Sequence, residues 1–311
     1  MAAAGSRAVR SVFGRSVRGR DLVAVTVAAP RRCPGDVEAR AVVLGNIHGN
    51  EVVSSELALA VLEDLCATDL RDDVVALLAV ADVTVVPALN VDGRDATFAG
   101  LDRTAWFVNA PRRNANLVDL NRNWPWPAGA RDHWLPIAGV RTTRLPWSRG
   151  SHPLSEPETA AFEDLLASRP PFALLNLHST GQIITWPWSS KAEPPADVAA
   201  FRAMAEAFRA AQTRWRYRAK QSRAWYPIVG SSDDHFYDRW GTLAVTIETD
   251  RPGAAVRSAP LERSRWHHAF WWANPSDLDA HIDNNRAACV AALRSAAQSK
   301  GVASAGASPC T

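Results

Sequence analysis

The sequence predicts a single α/β domain whose central sheet is mixed, mostly parallel and covered by helices on both faces. Three observations lead to this prediction. Apolar runs of strand length alternate with longer segments of helical periodicity along the 311 residues. The strand-like runs are apolar at nearly every position, as is typical of strands buried on both faces. No linker rich in Pro, Gly or Ser separates two cores, and 47% hydrophobic residues suffice for one large core.

The individual elements follow from the same patterns. Buried strands are predicted at residues 22–29, 41–47, 82–89, 172–177, 183–186 and 242–247. Helices are predicted at residues 51–66, 197–216 and 277–297, with a further helix that begins at Ser155 as N-cap. The segment "NVDGRD" at residues 90–95 is predicted to be a turn. Residues 96–154 are predicted to be loop, and their many aromatic residues indicate a functional loop.

Charge and composition exclude several function classes. The net charge of +3 is modest. The one basic stretch, residues 214–225, is explained equally well by a solvated helix end and does not predict nucleic-acid binding. No apolar stretch approaches the roughly 18 residues of a membrane span, and no signal peptide is visible. The four cysteines have neither metal-binding nor disulfide-framework spacing. We therefore expect a cytoplasmic protein without membrane or nucleic-acid partners, and the sequence leaves its oligomeric state open.

Three side chains form a candidate metal site. His48 and Glu51 follow a predicted buried strand directly and precede a helix, where open α/β sheets place their ligands. His178 ends another strand-like run, so it is expected at the same edge of the sheet. Two imidazoles and one carboxylate are a donor set that holds Zn²⁺ with one position open. The alternative is that His48 caps the helix and His178 is a hydrogen-bonded core histidine.

A fourth side chain is the candidate general base. Glu248 lies near the end of the apolar run "TLAVTIETD". A carboxylate in such a place must be paired with a partner or serve a function. We interpret it as the group that takes a proton from the attacking water, and an ion pair with Arg251 is the alternative.

Five motifs together reveal a family resemblance. "GNIHGNE", "RRNANLVDLNRNW", "SEPET", "NLHST" and "AVTIETD" stand in the order and spacing of the zinc metallocarboxypeptidases, the family of carboxypeptidases A, B and E. The resemblance covers about residues 11–297, which are therefore expected to form the catalytic domain. Residues 1–10 are expected to be an N-terminal extension and residues 298–311 a disordered tail. Leu117 departs from the family pattern, because relatives usually have Gly at this position.

The resemblance implies the catalytic roles. The implied ligands of one Zn²⁺ per chain are His48, Glu51 and His178. Glu248 corresponds to the general base that deprotonates a metal-activated water. Arg112 corresponds to the arginine that stabilises the tetrahedral oxyanion, although the adjacent Arg113 shifts this assignment by only one residue.

The resemblance also implies how substrate is held. Asp119 corresponds to the carboxylate that orients the first histidine ligand. Asn121 and Arg122 correspond to the pair that binds the terminal carboxylate of the substrate. Tyr226 corresponds to a mobile tyrosine that closes over the substrate, with simple packing as the alternative. Asp233 falls near the position that sets side-chain preference, where an acid favours a basic side chain, unless it only caps a turn.

These assignments predict a zinc-dependent exopeptidase that hydrolyses the C-terminal residue of a peptide. Its substrate is expected to be a peptide or small amide with a free carboxylate. The alternative is a related zinc amidohydrolase that acts on N-acyl amino acids or cell-wall peptides. A relative that binds peptides without cutting them is expected to lack the base or a ligand, and this chain retains all four residues.

Overall fold

A computed structural model describes residues 7–28, 39–100, 111–251, 256 and 268–302. The strands are β1 (Arg7–Arg15), β2 (Asp21–Ala28), β3 (Arg40–Leu44), β4 (Asp82–Val86), β5 (Ala173–Ser179), β6 (Ile183–Trp186), β7 (Arg218–Gln221) and β8 (Leu243–Thr249). In the same described ranges, the α-helices are α1 (Val52–Cys66), α2 (Asp72–Leu78), α3 (Val91–Ala99), α4 (Pro157–Ala167), α5 (Val198–Ala211), α6 (Ser232–Trp240), α7 (Ala269–Ala273) and α8 (Leu278–Ser299).

All eight strands belong to one sheet, in the order β1-β2-β4-β3-β5-β8-β6-β7. The four central strands β4, β3, β5 and β8 are parallel to one another. The antiparallel pairings β1–β2, β2–β4 and β6–β8 lie to either side of them. The predicted single domain with a mixed, mostly parallel sheet is therefore confirmed.

A separate apolar core lies between each face of the sheet and the helices that cover it. On β5, Leu175 and Leu177 join the larger core, to which helices α1, α2, α5 and α8 contribute. Leu174, one residue earlier, belongs to the second core, which includes Phe162 of α4 and Phe236 of α6. Because neighbouring strand residues point to opposite faces, this alternation places helices on both sides of the sheet, as predicted.

Three local predictions are wrong. Residues 90–95 begin helix α3 rather than a turn, because the side chain of Asn90 accepts a hydrogen bond from the Gly93 amide and caps the helix. Ser155 is not the N-cap of α4, since that position is held by Glu156 and Ser155 Oγ donates to the Glu156 carboxylate instead. The helix predicted at residues 197–216 ends at Ala211.

The ends of the fold also differ from expectation. Strand β1 begins at Arg7 and pairs with β2, so residues 7–10 belong to the sheet rather than to an extension. Helix α8 ends at Ser299, and residues 303–311 of the expected tail lie outside the described residues. None of the helices in the described part of the chain combines the length and the hydropathy of a membrane span.

Candidate active site

The candidate site lies at the carboxyl ends of the parallel strands. His48 and Glu51 lie in the short connection between β3 and α1. His178 is the penultimate residue of β5, and its register partner on β8 is Glu248. Parallel strands place their carboxyl ends at one edge, and the connection after β3 brings the remaining ligands to the same edge. The sequence-based placement of these four residues at one sheet edge agrees with the structure.

The three predicted ligands converge on one point, and all three are buried. His48 Nδ1 lies 2.8 Å from Glu51 Oε1, and His178 Nδ1 lies 2.9 Å from Glu51 Oε2. The two Nδ1 atoms are 3.1 Å apart. Bonds of about 2.0 Å to a tetrahedral Zn²⁺ require donor separations of roughly 3.3 Å, so this donor set fits the ion with little adjustment. The backbone amide of Ser179 also donates to Glu51 Oε2 and holds that carboxylate in place.

A carboxylate behind the ligands sets the orientation of the first imidazole. His48 Nε2 lies 3.0 Å from Asp119 Oδ1, and Asp119 is itself wholly buried. A proton on Nε2 that is donated to this carboxylate leaves the Nδ1 lone pair free for a metal. Arg112 joins the same network through Nε to Asp119 Oδ2 at 3.0 Å and Nη1 to Glu51 Oε1 at 3.2 Å.

The charged groups in this network shift one another's pKa values. Burial by itself raises the pKa of Glu51 and of Asp119. The two histidines beside Glu51, and mainly Arg112 beside Asp119, outweigh burial and lower both pKa values. Burial opposes the charge on Arg112, yet Asp119 and Glu51 outweigh it and raise the pKa of that guanidinium. The carboxylates are therefore held ionised, which is the state that binds a metal.

Glu248 faces different surroundings. Its Oε2 atom is buried and has no hydrogen-bond partner among the described residues. Burial, and then the charge of Glu51, raises the pKa of Glu248 well above its ordinary value. Arg251, the alternative partner considered from the sequence, donates to Gln182 instead. An unpartnered carboxylate with a raised pKa next to a metal-ligand set has the properties of a general base.

The structure separates the two adjacent arginines. Arg112 lines the cavity beside His48 and Glu248, whereas Arg113 donates to the backbone carbonyls of Thr143 and Leu145 on a neighbouring loop. Only Arg112 is therefore within reach of a group bound between the ligands and Glu248.

Ser232 and Asn176, which the motifs do not single out, hold the side chain of Asn121 in place. The backbone amide and the hydroxyl of Ser232 both donate to Asn121 Oδ1, at 3.0 and 3.2 Å. Asn176, wholly buried on β5, donates in turn to the Ser232 hydroxyl. These bonds determine the orientation of the Asn121 amide and leave its NH₂ group facing His178. Asn176 stands two residues before His178 in an otherwise apolar strand, so period-two spacing is the signal that could have revealed it.

Arg122 is not brought together with Asn121 at the cavity. Its Nε and Nη2 donate to the carbonyl of Ile137, and its Nη1 donates to the carbonyl of Asn121. The guanidinium is buried and lines a different cavity. The role of Arg122 in binding the substrate carboxylate stays a prediction. The carbonyl of Ile137 accepts two of the guanidinium hydrogens and holds the side chain in this orientation.

The pocket next to the ligands is closed by polar side chains. Asp233 lies in it, and its Oδ2 accepts a hydrogen bond from Thr246 while its Oδ1 is 3.3 Å from the Ser232 hydroxyl. Burial raises the pKa of Asp233 to about 6. The alternative role as a cap is wrong, because Ser231 caps helix α6. Further hydroxyl groups in the lining belong to Thr185, Ser222 and Ser231.

A wider aromatic cleft opens on the other side of the catalytic groups. It is lined by Trp147, Trp225 and Trp272 and has a volume of about 370 Å³. Tyr226 and Glu248 line both this cleft and the closed pocket, so they stand at the boundary between the two. Tyr226 is half-buried, and its ring packs at 4.8 Å from that of Trp225. The sequence could not show which of its tryptophans lie here.

Comparison with known proteins agrees with this geometry. A family model described as zinc carboxypeptidase matches residues 1–280. Carboxypeptidase Z of Rattus norvegicus is 25% identical over 292 residues, which are 82% of this chain and 43% of that protein. The carboxypeptidase N catalytic chain of Homo sapiens is 25% identical over 271 residues, which are 76% of this chain and 56% of that protein. The chain thus spans about half the length of these curated relatives.

Solved structures share the fold. Thrombin-activatable fibrinolysis inhibitor superimposes with a TM-score of 0.72 at 21% identity, covering 95% of this chain and 71% of that one. Carboxypeptidase A from Helicoverpa armigera gives 0.70 at 19% identity, with coverage of 96% and 69%. These structures place the chain in one class of protein, the single-domain α/β proteins with a mixed, mostly parallel sheet. Within that class, the chain belongs to the zinc carboxypeptidase family, and the resemblance inferred from its motifs is confirmed.

Proposed function

We propose that this protein removes the C-terminal residue of peptides in a zinc-dependent reaction. The observation that carries the proposal is the convergence of His48, Glu51 and His178 on one point beside the unpartnered carboxylate of Glu248. Three protein donors leave one coordination position for water or substrate. The family to which the chain belongs supports the same reaction.

The described side chains have separate tasks in this reaction. When bound, Zn²⁺ polarises a carbonyl oxygen and brings the pKa of a water close to 7. Glu248 takes a proton from the attacking water and returns it to the leaving amine. Arg112 lies across the cavity, where its guanidinium donates to the oxygen that gains negative charge. Asp119 holds both Arg112 and His48 in position.

The terminal carboxylate of the substrate is proposed to bind at Asn121. Ser232 occupies Oδ1 of this side chain, and its NH₂ group, which lies 3.4 Å from His178 Nε2, is the donor that remains at the pocket. Arg122 is one residue further along the chain but has to leave the Ile137 carbonyl to reach the same carboxylate. Binding of substrate is therefore proposed to be coupled to a rotation of the Arg122 side chain.

The closed pocket is proposed to take a basic C-terminal side chain, for which its volume of about 20 Å³ has to widen. Asp233 is a buried carboxylate that accepts a hydrogen bond from the Thr246 hydroxyl but has no cationic partner among the described residues. A lysine or arginine side chain supplies that missing charge, and the hydroxyl groups of Thr185 and Ser222 offer acceptors for its remaining hydrogens. Apolar side chains leave the carboxylate desolvated and unpaired, which disfavours them.

The preceding residues of the peptide are proposed to lie in the aromatic cleft. The cleft shares Tyr226 and Glu248 with the closed pocket, so a chain held by its carboxyl end must leave in this direction. Trp147, Trp225 and Trp272 offer large apolar surfaces there. An N-acyl amino acid has too little chain to occupy this cleft, which favours a peptide over such small amides.

Hydrolysis of a series of blocked dipeptides with C-terminal Arg, Lys, Phe or Glu tests these proposals. We expect release of Arg and Lys at the highest kcat/KM and loss of all release when a zinc chelator is present. Preferred release of Phe would retain the exopeptidase and contradict the role of Asp233. No release from any dipeptide, with one zinc bound per chain, would overturn the peptide substrate and favour the amidohydrolase alternative.

A further inference from the structure

A second cavity, separate from the metal ligands, is strongly cationic. It has a volume of about 310 Å³ and is lined by Arg122, Arg141, Arg149, Trp126 and residues 150–153. This volume falls at the lower end of the range for small-molecule sites. No acidic side chain of the described residues is part of the lining. Three guanidinium groups around one cavity without a carboxylate form an arrangement that attracts anions.

Arg122 has unused donors at this cavity. The side chain is 1% exposed, and it forms no ion pair with any of the described residues. Three of its N–H groups donate to backbone carbonyls, and a guanidinium has five, so two remain. No described carboxylate hydrogen-bonds to this buried guanidinium, although the charge of Asp119 acts on it from nearby, and a bound anion would lower the remaining penalty of burial.

The other two arginines are only partly neutralised. Arg149 is buried and pairs with Asp132, whose side chain is 60% exposed and lies outside the cavity lining. Its guanidinium also lies over the ring of Trp126, at 5.0 Å from the centroid. Arg141 is exposed, and together with Arg149 it lowers the pKa of Asp132. One rim carboxylate therefore interacts with two of the three cations, which leaves an excess of positive charge around the cavity.

We infer that this cavity binds an oxyanion, a phosphate or a carboxylate group, between Arg122, Arg141 and Arg149. Guanidinium groups bind both anions through paired, charge-assisted hydrogen bonds. Trp126 also lines the cavity, and its ring packs against the Arg149 guanidinium.

The position of Arg122 links this cavity to the active centre. Its Nη1 donates to the carbonyl of Asn121, and Nδ2 of Asn121 lies 3.4 Å from His178 Nε2. An anion in the cavity holds Arg122 in its present orientation and keeps it away from the substrate carboxylate. The anion is therefore expected to raise KM and leave kcat unchanged. This coupling rests on the proposed function, whereas anion binding itself does not.

Titration of the zinc-loaded protein with inorganic phosphate, followed by calorimetry, tests the site. Arg141→Gln removes one cation from the exposed rim and is expected to weaken binding about tenfold. Arg144→Gln is the matched control, because Arg144 is exposed on the same loop but lies outside the lining. The phosphate affinity of this variant is expected to stay within twofold of that of the unaltered protein. Equal affinity of Arg141→Gln and the unaltered protein would overturn the inference. Arg149→Lys provides a second variant that keeps the ion pair with Asp132.

Two further arms separate the possible causes of binding. Repeating the titration after removal of zinc by a chelator shows whether phosphate binds at the metal instead. Binding at the arginine cavity is expected to persist after chelation. Complete loss of binding contradicts the proposal. Acetate titrated in parallel distinguishes a carboxylate preference from a phosphate preference. In peptide hydrolysis, phosphate is expected to raise KM of the unaltered protein and of Arg144→Gln, but less for Arg141→Gln. Binding without any change in KM would refute the coupling and leave the anion site in place.

Discussion

The metal-ligand centre and the arginine cavity treat buried charge in opposite ways. At the centre, Arg112 lies within 3.2 Å of carboxylate oxygens from both Glu51 and Asp119. At the cavity, Arg122 is more deeply buried than Arg112 but hydrogen-bonds only to backbone carbonyls among the described residues. The two arginines are ten positions apart in the same segment of the chain.

This difference shows which charges the fold neutralises and which it leaves for a ligand. A closed set of ion pairs holds its members in one geometry, as a metal site requires. A cation without a carboxylate partner gains most when an anion arrives. Asp233 is the acidic counterpart of Arg122, because it is buried and hydrogen-bonded but has no cationic partner in the described part of the chain.

The largest effect on activity is expected at Glu248, which acts on the reaction but is not hydrogen-bonded to the metal ligands. Glu248→Gln removes the base but leaves every ligand bond in place, so kcat should fall at least about a thousandfold. Zinc content measured by atomic absorption should stay at one per chain. Glu193→Gln, an exposed site, is the matched control and should retain full activity. Near-normal turnover of Glu248→Gln would disprove the assigned role.

A change in the paired network should weaken metal binding itself. Asp119→Asn removes the negative charge that orients His48 and pairs with Arg112. We expect a loss in zinc affinity of about 10- to 100-fold, measured by competition with a chromophoric chelator. Asp132→Asn at the rim of the arginine cavity is the control and should leave zinc affinity unchanged. Unchanged affinity of Asp119→Asn would mean that the network does not support the metal.

Asp233 tests what an unpaired buried carboxylate does. Asp233→Asn should lower kcat/KM for C-terminal Arg about tenfold relative to C-terminal Phe. Because the pKa of Asp233 is raised to about 6, the preference of the unaltered protein for Arg should also fade as the pH drops below that value. The ratio of kcat/KM for the two substrates at pH 8 and pH 5 measures both effects. A ratio independent of pH and of the substitution would exclude Asp233 from substrate recognition.

The same residue has an effect on stability whose sign is opposite to that of a salt bridge. Its pKa is about 6 in the folded chain and about 3.9 when unfolded, so its contribution to stability is fully present below pH 4 and is lost as the pH rises through 6. The free energy of unfolding of Asp233→Asn should therefore exceed that of the unaltered protein by about 1–3 kcal/mol at pH 8. At pH 4 the two free energies should be about the same. Urea unfolding at both pH values checks this, and a destabilised variant at pH 8 would contradict it.

The smallest effect is expected in the loop that leads from Arg112 to Asp119. Leu117 adopts φ +61°, a left-handed conformation that favours glycine, and its side chain is 50% exposed. Leu117→Gly should raise the free energy of unfolding by about 1 kcal/mol, since little packing is lost. Zinc affinity and phosphate affinity should not change. A change in zinc affinity or in phosphate affinity would show that strain in this loop affects the metal-ligand centre or the arginine cavity. The difference between these two regions would then not depend on charge alone.

The motifs predicted the central site because its residues lie at the ends of strongly apolar strands. On β5 and β8, one face carries Leu177 and Ile247 into the larger core, while the opposite face carries His178 and Glu248. A polar residue within such a run stands out in sequence, and parallel strands bring the run ends together. The motif around Leu117 was informative in the same way, because the position where relatives usually have Gly has a positive φ.

The sequence by itself determined the fold class, the candidate metal-ligand set and the place of Glu248, because these depend on local periodicity and on short motif spacing. The tertiary structure decided between Arg112 and Arg113 and turned Arg122 towards Ile137. It also assembled the arginine cavity from residues 122–153. Those features depend on how a long loop packs, and hydrogen bonds between distant backbone and side-chain groups leave no periodic trace in the sequence.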